Sequence, residues 1–177
     1  MTQAKKFEQT KRPAVFFDRD GVINEDKGYT YKHEDWEWVD GAIQAIKHCN
    51  DAGYLVFVVT NQSGVGRGFY TEEDVHSIHD HMKKTLQQHG AHIDDIRYCP
   101  HHIDAIDDKY KIDCDWRKPA SGMLEDLLSS WPVEMSQSVL VGDKLTDLEA
   151  AMQVGIKGLL FKGGNLKHFL SVAGYLD

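Results

Sequence analysis

With 177 residues, 41% of them hydrophobic and 27% charged, the chain is long enough for one domain with a proper core and short for two. Its formal net charge of −8 argues against nucleic acid as a general partner, though not against a small anion held by local Lys and Arg. No run approaches the ~18 apolar residues of a membrane span, and three cysteines without an even framework point to a reducing cytoplasm rather than secretion.

Residues 1–12 are polar and read as a loose tail, leaving a single domain over 13–177. Apolar runs then alternate with amphipathic stretches, the pattern of strand–helix–strand units around a parallel sheet in an α/β fold. The first strand is Ala14–Phe17. A helix follows Asp40 as N-cap, with Ala42, Ile43, Ala45, Ile46 and Cys49 on its apolar stripe and Gly53 ending it. A strand over 54–60 is almost wholly apolar, as one buried on both faces should be. The next helix opens on an approximate capping box at Thr71 and Asp74 and buries Val75, Ile78, Met82 and Leu86. His76, His79, His81, His89 and His92 lie in or near it. They match no compact ligand set, so most of them read as solvated surface. A weak strand at 96–98, a long polar loop over 99–119, a helix over 122–130, and strands at 138–141 and 158–161 complete the series. Between the last two strands lies a helix with a capping box from Thr146 to Glu149, stopped by Gly155.

Three clusters carry chemistry. The first strand ends in Asp18-Arg19-Asp20-Gly21, two carboxylates delivered to a C-terminal strand tip, where open α/β sheets bind ligands. Paired acids of this kind suit a divalent cation and a division of labour between nucleophile and proton donor. The second strand ends in Thr60-Asn61-Gln62-Ser63-Gly64, followed by Arg67, a small-residue loop able to wrap a phosphate with backbone N–H groups. The strand at 138–141 ends in Gly142-Asp143-Lys144. Asp143 can complete a cation site with Asp18 and Asp20, while Asp147 either supports that shell or complements the helix dipole. Arg117 and Lys118 stand before a helix. In a parallel sheet all of these fall at one edge, and magnesium, carboxylates, a hydroxyl and a lysine are what phosphoryl transfer needs. A calcium EF-hand is disfavoured, because its loop position six would be Ile23 rather than glycine. A dinucleotide fingerprint is disfavoured because its third glycine would be Phe69.

Over residues 13–165 the chain resembles the haloacid dehalogenase superfamily of phosphatases, and within it the branch of heptose-bisphosphate phosphatases and histidinol-phosphatase domains. The matching text is Asp18–Asn24, Asp26–Tyr29, Thr60–Gly64, Cys99–His102, Arg117–Pro119 and Gly142–Asp147. The resemblance implies a three-layer Rossmann-like fold with a central parallel sheet and no large cap domain. It implies that Asp18 is the nucleophile and Asp20 the acid and base. Mg2+ would be held by Asp18, the Asp20 carbonyl and Asp143, and the phosphoryl group steadied by Thr60 and Lys118. Asp26, Lys27, Gly28, Tyr29, Asn61, Gln62, Ser63, Arg67, Arg117 and Lys144 would contact the substrate. Loops over 24–35 and 99–116 would shape the pocket. The family loop binds zinc through Cys-x-His and Cys-x-Cys; Cys99, His101 and Cys114 are present, but Trp116 stands at the fourth position and cannot ligate. Asp113, Asp115, His102 or water are the substitutes.

The expectation is a Mg2+-dependent phosphomonoesterase acting as a cytoplasmic monomer on a small phosphorylated sugar, with a heptose bisphosphate leading, and without nucleic-acid or membrane partners. The alternatives are histidinol-phosphate hydrolysis, a catalytically silent module that grips a phosphorylated ligand, and a zinc-organised interaction protein.

Overall fold

A computed structural model of the chain describes residues 10–176. Five parallel strands form one sheet in the order β3-β2-β1-β4-β5: β1 (Ala14–Phe17), β2 (Leu55–Asn61), β3 (Asp95–Cys99), β4 (Val139–Gly142) and β5 (Lys157–Leu160). Helices α1 (Ala42–Asp51), α2 (Glu72–Gln88), α3 (Gly122–Ser130), α4 (Leu145–Gln153) and α5 (Leu166–Val172) cover its faces.

The strand alternation assigns the helices to layers. Val15, Phe17, Val56 and Val58 point to one face and pack with Ala45 and Ile46 of α1, Met82 and Leu86 of α2, and Leu170 of α5. Ala14, Phe16, Leu55, Phe57 and Val59 point to the other and meet Met123, Leu124 and Leu127 of α3 with Ala150 and Ala151 of α4. Every residue of β1 is fully buried, which is why it reads as a continuous apolar run rather than an alternating one. Each large core side chain contributes about 1.5–3 kcal/mol on burial. This is the expected three-layer α/β arrangement. The segments between β1 and α1 and between β3 and α3 carry only a short 3-10 turn, at His33–Asp35, so no large cap is built among the described residues.

β1 lies between β2 and β4, with Phe17 opposite both Val58 and Val141. That point, where the strand order reverses, puts the tips of β1, β2 and β4 side by side.

Local details differ from the sequence reading. Residues 1–9 of the expected tail lie outside the described residues. Arg12 is not loose: its N–H donates to Pro132 O at 2.9 Å and its Nε to Gly53 O at 2.9 Å. The N-cap of α1 is Gly41 at φ +72°, not Asp40. Asp40 instead accepts from Leu166 N–H at 2.8 Å and from Asn165 Nδ2 at 3.1 Å, which anchors α5. The Thr146–Glu149 box gives way to Lys144 as N-cap, whose N–H donates to Asp147 Oδ2 at 3.1 Å. The box at Thr71 and Asp74 forms as expected. No helix among the described residues is long and apolar enough to cross a membrane.

Candidate active site

Asp18 leaves β1 with its N–H bonded to Val141 O at 2.9 Å, so the backbone of β4 sets its direction. Its carboxylate is buried against Lys118, whose Nζ donates to Asp18 Oδ1 at 2.9 Å and to Val59 O at 2.8 Å and pairs with Asp147 Oδ1 at 2.6 Å. Lys118 is itself pinned by Asn61: the Asn61 amide donates to Lys118 O at 3.1 Å and accepts from Lys118 N–H at 3.0 Å. Burial pushes Asp18 up to about 7, with Lys118 pulling against the shift and Asp147 and Asp20 adding to it. Burial alone would lower Lys118, but Asp18 and Asp147 hold it above its ordinary value, so it stays a cation.

Asp143 follows β4 on the neighbouring tip. One oxygen each of Asp18, Asp143 and Asp147 lies within 4.8 Å of the others. Asp143 Oδ1 is buried without a hydrogen-bond partner, and burial holds the Asp143 carboxyl above its usual range. The loop reaches this carboxylate only because residue 21 is glycine: φ is +84°, and a Cβ there would stand 2.5 Å from Asp143 Oδ2. Buried Asp18 and Asp147, half-buried Asp143 with its unpaired oxygen, and one lysine make an oxygen-donor site two positive charges short when all three carboxylates are ionised, which fits a hard divalent cation such as Mg2+.

Asp20 has the opposite environment. Its carboxylate accepts from Arg19 Nη2 at 3.0 and 3.1 Å, from Asn24 Nδ2 at 3.0 Å and from Gln62 Nε2 at 2.9 Å. Burial opposes ionisation, yet Arg19 and these hydrogen bonds hold Asp20 below the usual carboxylate range. Thr60 Oγ1 accepts from Gln62 Nε2 at 2.8 Å, which leaves its own O–H free to donate.

A cavity of about 470 Å³ opens at Asp20 and Lys118, with Asp18, Thr60 and Asp143 behind its lining. Of the expected contacts, Asp26, Gly28, Tyr29, Asn61, Gln62, Ser63, Arg117 and Lys144 line it beside Asp20 and Lys118, and Lys144 Nζ stands 3.6 Å from Asp26. Two do not. Lys27 turns away to pair with Glu37 at 2.8 Å, and Arg67 is drawn to His102 Nε2 at 3.0 Å. The 99–116 loop does not line this cavity either. With Glu72 and Arg97 it walls a neighbouring one of about 370 Å³, and it meets the site through Arg117, whose Nη1 donates to His101 O at 3.5 Å.

That loop gathers Cys99, His101 and Cys114, with ligand atoms all within 4.8 Å. Soft thiols and an imidazole suit zinc. Burial raises the Cys99 thiol to about 12, so it is neutral without a metal. Trp116 supplies no ligand: its N–H donates to Cys114 Sγ at 3.4 Å while its ring packs against the α3 side of the core. His102 is committed elsewhere, accepting from Asp104 N–H at Nδ1 and facing Arg67 at Nε2.

The polynucleotide kinase 3 phosphatase family model matches residues 13–154. D-glycero-beta-D-manno-heptose-1,7-bisphosphate 7-phosphatase of Rhodopseudomonas palustris is 46% identical over 160 residues, covering 90% of this chain and 89% of that one. The chain belongs to the haloacid dehalogenase superfamily, in its heptose-bisphosphate phosphatase family. It is a phosphatase. The D-glycero-beta-D-manno-heptose-1,7-bisphosphate 7-phosphatase of Escherichia coli K12 is 40% identical and covers 85% of this chain and 80% of its own length. Among solved structures, D,D-heptose 1,7-bisphosphate phosphatase from B. bronchiseptica, complexed with magnesium and phosphate, superposes with a TM-score of 0.77 at 36% identity, covering 93% of this chain and 88% of that one. A HAD-like phosphatase from Mesorhizobium loti reaches 0.82 at 32% identity, covering 88% and 75%.

Sequence reasoning missed two residues of this phosphatase. Arg19 is 1% exposed, and the only signal for it was a cation between two acids. His79, read with its neighbours as surface, is 4% exposed, and its Nε2 faces Arg19 Nη1 at 3.4 Å. Its spacing from Val75 and Met82, on the apolar stripe of α2, was the available signal.

Proposed function

We propose that this phosphatase is a Mg2+-dependent phosphomonoesterase of phosphorylated sugars, acting through an aspartyl-phosphate on Asp18, with D-glycero-D-manno-heptose 1,7-bisphosphate as the leading substrate. The observation that carries the reading is the meeting of Asp18, Asp143 and Asp147 within 4.8 Å beside a buried lysine, in a chain 46% identical to a relative named for that sugar. Asp18, the Asp20 backbone carbonyl and Asp143 would hold Mg2+, which when bound neutralises charge on the phosphoryl group.

Asp18 Oδ attacks phosphorus as the bond from phosphorus to the sugar oxygen breaks. Asp20 gives its proton to that oxygen, then takes one from the water that attacks the aspartyl-phosphate. All three N–H groups of Lys118 Nζ are engaged in the free enzyme, so Lys118 turns the one held by Asp18 to a phosphoryl oxygen as Asp18 bonds phosphorus, and the free Thr60 hydroxyl donates to another. The free enzyme holds Asp20 ionised. A phosphate placed beside it raises its proton affinity, because a like charge disfavours the carboxylate. Arg117 and Lys144 supply positive charge at the cavity wall for the remainder of an anionic sugar. The same reading assigns a structural zinc to Cys99, His101 and Cys114, and a cytoplasmic monomer without nucleic-acid or membrane partners.

The test is phosphate release from the alpha and beta heptose bisphosphates and from histidinol phosphate, with and without EDTA. The reading expects EDTA-sensitive release that is fastest with a heptose bisphosphate, and a loss of roughly 10⁴-fold or more in Asp18→Asn. Undiminished release in EDTA, or near-normal turnover by Asp18→Asn, overturns it. Metal analysis of the purified protein checks the zinc.

A further inference from the structure

We propose that Arg19 is a positioning residue for the proton-donating carboxylate of Asp20, aimed by a buried network that runs through Gln62 to Tyr70 and rests on His79 of α2. A guanidinium at 1% exposure needs a reason, since burying a charge costs several kcal/mol unless it is paired and hydrogen-bonded. Arg19 has its reason in Asp20. Nη2 spans both Asp20 oxygens, at 3.0 and 3.1 Å, and also donates to Thr30 O at 2.8 Å. Nη1 faces His79 Nε2 at 3.4 Å, and the guanidinium carbon lies 6.0 Å from the centre of the Trp36 ring. Neither Asp18 nor Lys118 is bonded to Arg19, so its contacts go to the carboxylate that handles protons and not to the one that attacks.

Gln62 supports the opposite side of Asp20. Its Nε2 donates to Asp20 Oδ2 at 2.9 Å because its Oε1 is claimed by the Tyr70 hydroxyl at 2.6 Å, with Arg19 Nη2 a further 3.4 Å away. An amide fixed at its oxygen by two donors cannot turn its nitrogen away from the carboxylate. Arg19, Gln62 and Asn24 therefore hold Asp20 from three directions, and what remains open to it is the cavity. Burial keeps His79 neutral, lowered to about 3, so it can take a hydrogen bond from Arg19 instead of repelling it. Proton transfer depends on placement within hydrogen-bond reach of the leaving oxygen, so a loosened Asp20 loses rate even with its chemistry intact.

The proposal rests on Asp20 as proton donor, and its test separates the two claims. Phosphate monoesters are compared from an alkyl phosphate, whose alkoxide must be protonated to leave, to p-nitrophenyl phosphate, whose phenolate leaves unaided. Asp20→Asn is the reference: in kcat/KM, which reports steps only up to departure of the leaving group, it should lose about a hundredfold or more on the alkyl ester and far less on the nitrophenyl ester, while hydrolysis of the shared aspartyl-phosphate slows equally for both. Arg19→Gln should reproduce that selectivity, about a hundredfold against about threefold, with Arg19→Lys recovering part of the alkyl loss. Tyr70→Phe, which removes one hydroxyl, should show the same selectivity at roughly three- to tenfold. It carries the test if Arg19→Gln does not fold. Equal losses on both esters in the Arg19 and Tyr70 variants, while Asp20→Asn discriminates, overturn the positioning role. If Asp20→Asn itself does not discriminate, the donor assignment falls and the proposal with it.

Discussion

Two regions flank the cavity of this phosphatase, and they are held together in different ways. At the strand tips, Asp18, Lys118 and Asp147 are each less than a tenth exposed, and Lys118 is tied by side chain and backbone to β1, β2 and α4. In the 99–116 loop, Ile103, Ile106 and Ile112 are exposed, and the Cys-His-Cys group is one ligand short of a closed tetrahedron. The loop closes on itself through bonds such as His102 N–H to Tyr110 O at 3.0 Å, and Glu72 of α2 pins it from outside, accepting from the hydroxyls of Tyr110 in the loop and Tyr98 in β3, both at 2.7 Å. The difference teaches that the reacting groups and the loop beside them carry separate structural burdens. Two buried acids sharing one buried lysine cannot relax without leaving charge unpaired, whereas a surface loop can carry a tryptophan in place of a ligand and still be pinned.

Breaking the strand-tip region should have the largest effect. Lys118→Ala leaves Asp18 and Asp147 facing each other without a cation. We expect a stability loss of about 3–5 kcal/mol in metal-free protein and a kcat loss of about 10²–10³-fold, checked by urea unfolding and steady-state kinetics. Asp51→Ala, in an exposed pair with Lys47 at the C-terminal end of α1, should do neither.

A second test uses pH. The folded value of Asp18, near 7, stands above the ordinary 3.8. The folded state therefore keeps a proton that the unfolded chain has already released. The stability this contributes is complete below about pH 4 and is lost as pH rises through 7, on the order of a few kcal/mol. Thermal melts in EDTA should show wild type falling relative to Asp18→Asn between pH 4 and 8, and Mg2+ should abolish that fall. Parallel curves for the two proteins would break the distinction between the regions.

The smallest effect belongs to the loop. Cys114→Ser should cut zinc content while changing p-nitrophenyl phosphate turnover by less than about threefold, and Glu72→Gln should cost about 1 kcal/mol through its two phenol hydrogen bonds. Metal analysis and chemical denaturation check these. A collapse of nitrophenyl turnover in Cys114→Ser would show that the loop supports the chemistry after all.

What the sequence made legible follows the same division. Asp18, Thr60 and Asp143 could be placed because each stands directly beyond an apolar run, and a parallel sheet brings such ends together. The partnership of Asn61 with Lys118, 57 residues apart, leaves no local mark. Nor does the pairing of Lys118 with Asp147, where the same acid also accepts from the N–H of Lys144, the N-cap of α4. Arg67 sits in the right loop, but His102 claims it, and no periodicity reports a side chain's direction within a loop. Helix α5 went unread because it is only 7 residues long; its mark was Asn165 as N-cap after two glycines, accepting from His168 N–H at 2.9 Å.

The account depends most on Asp18 bonding to phosphorus. Asp20→Asn, impaired in activating water, should accumulate the covalent species during turnover of p-nitrophenyl phosphate with Mg2+. Acid quench followed by peptide mass mapping should find a hydroxylamine-sensitive phosphoryl adduct on the peptide carrying residue 18, absent from the Asp18→Asn, Asp20→Asn double variant. No adduct, or one on a different peptide, would contradict the account.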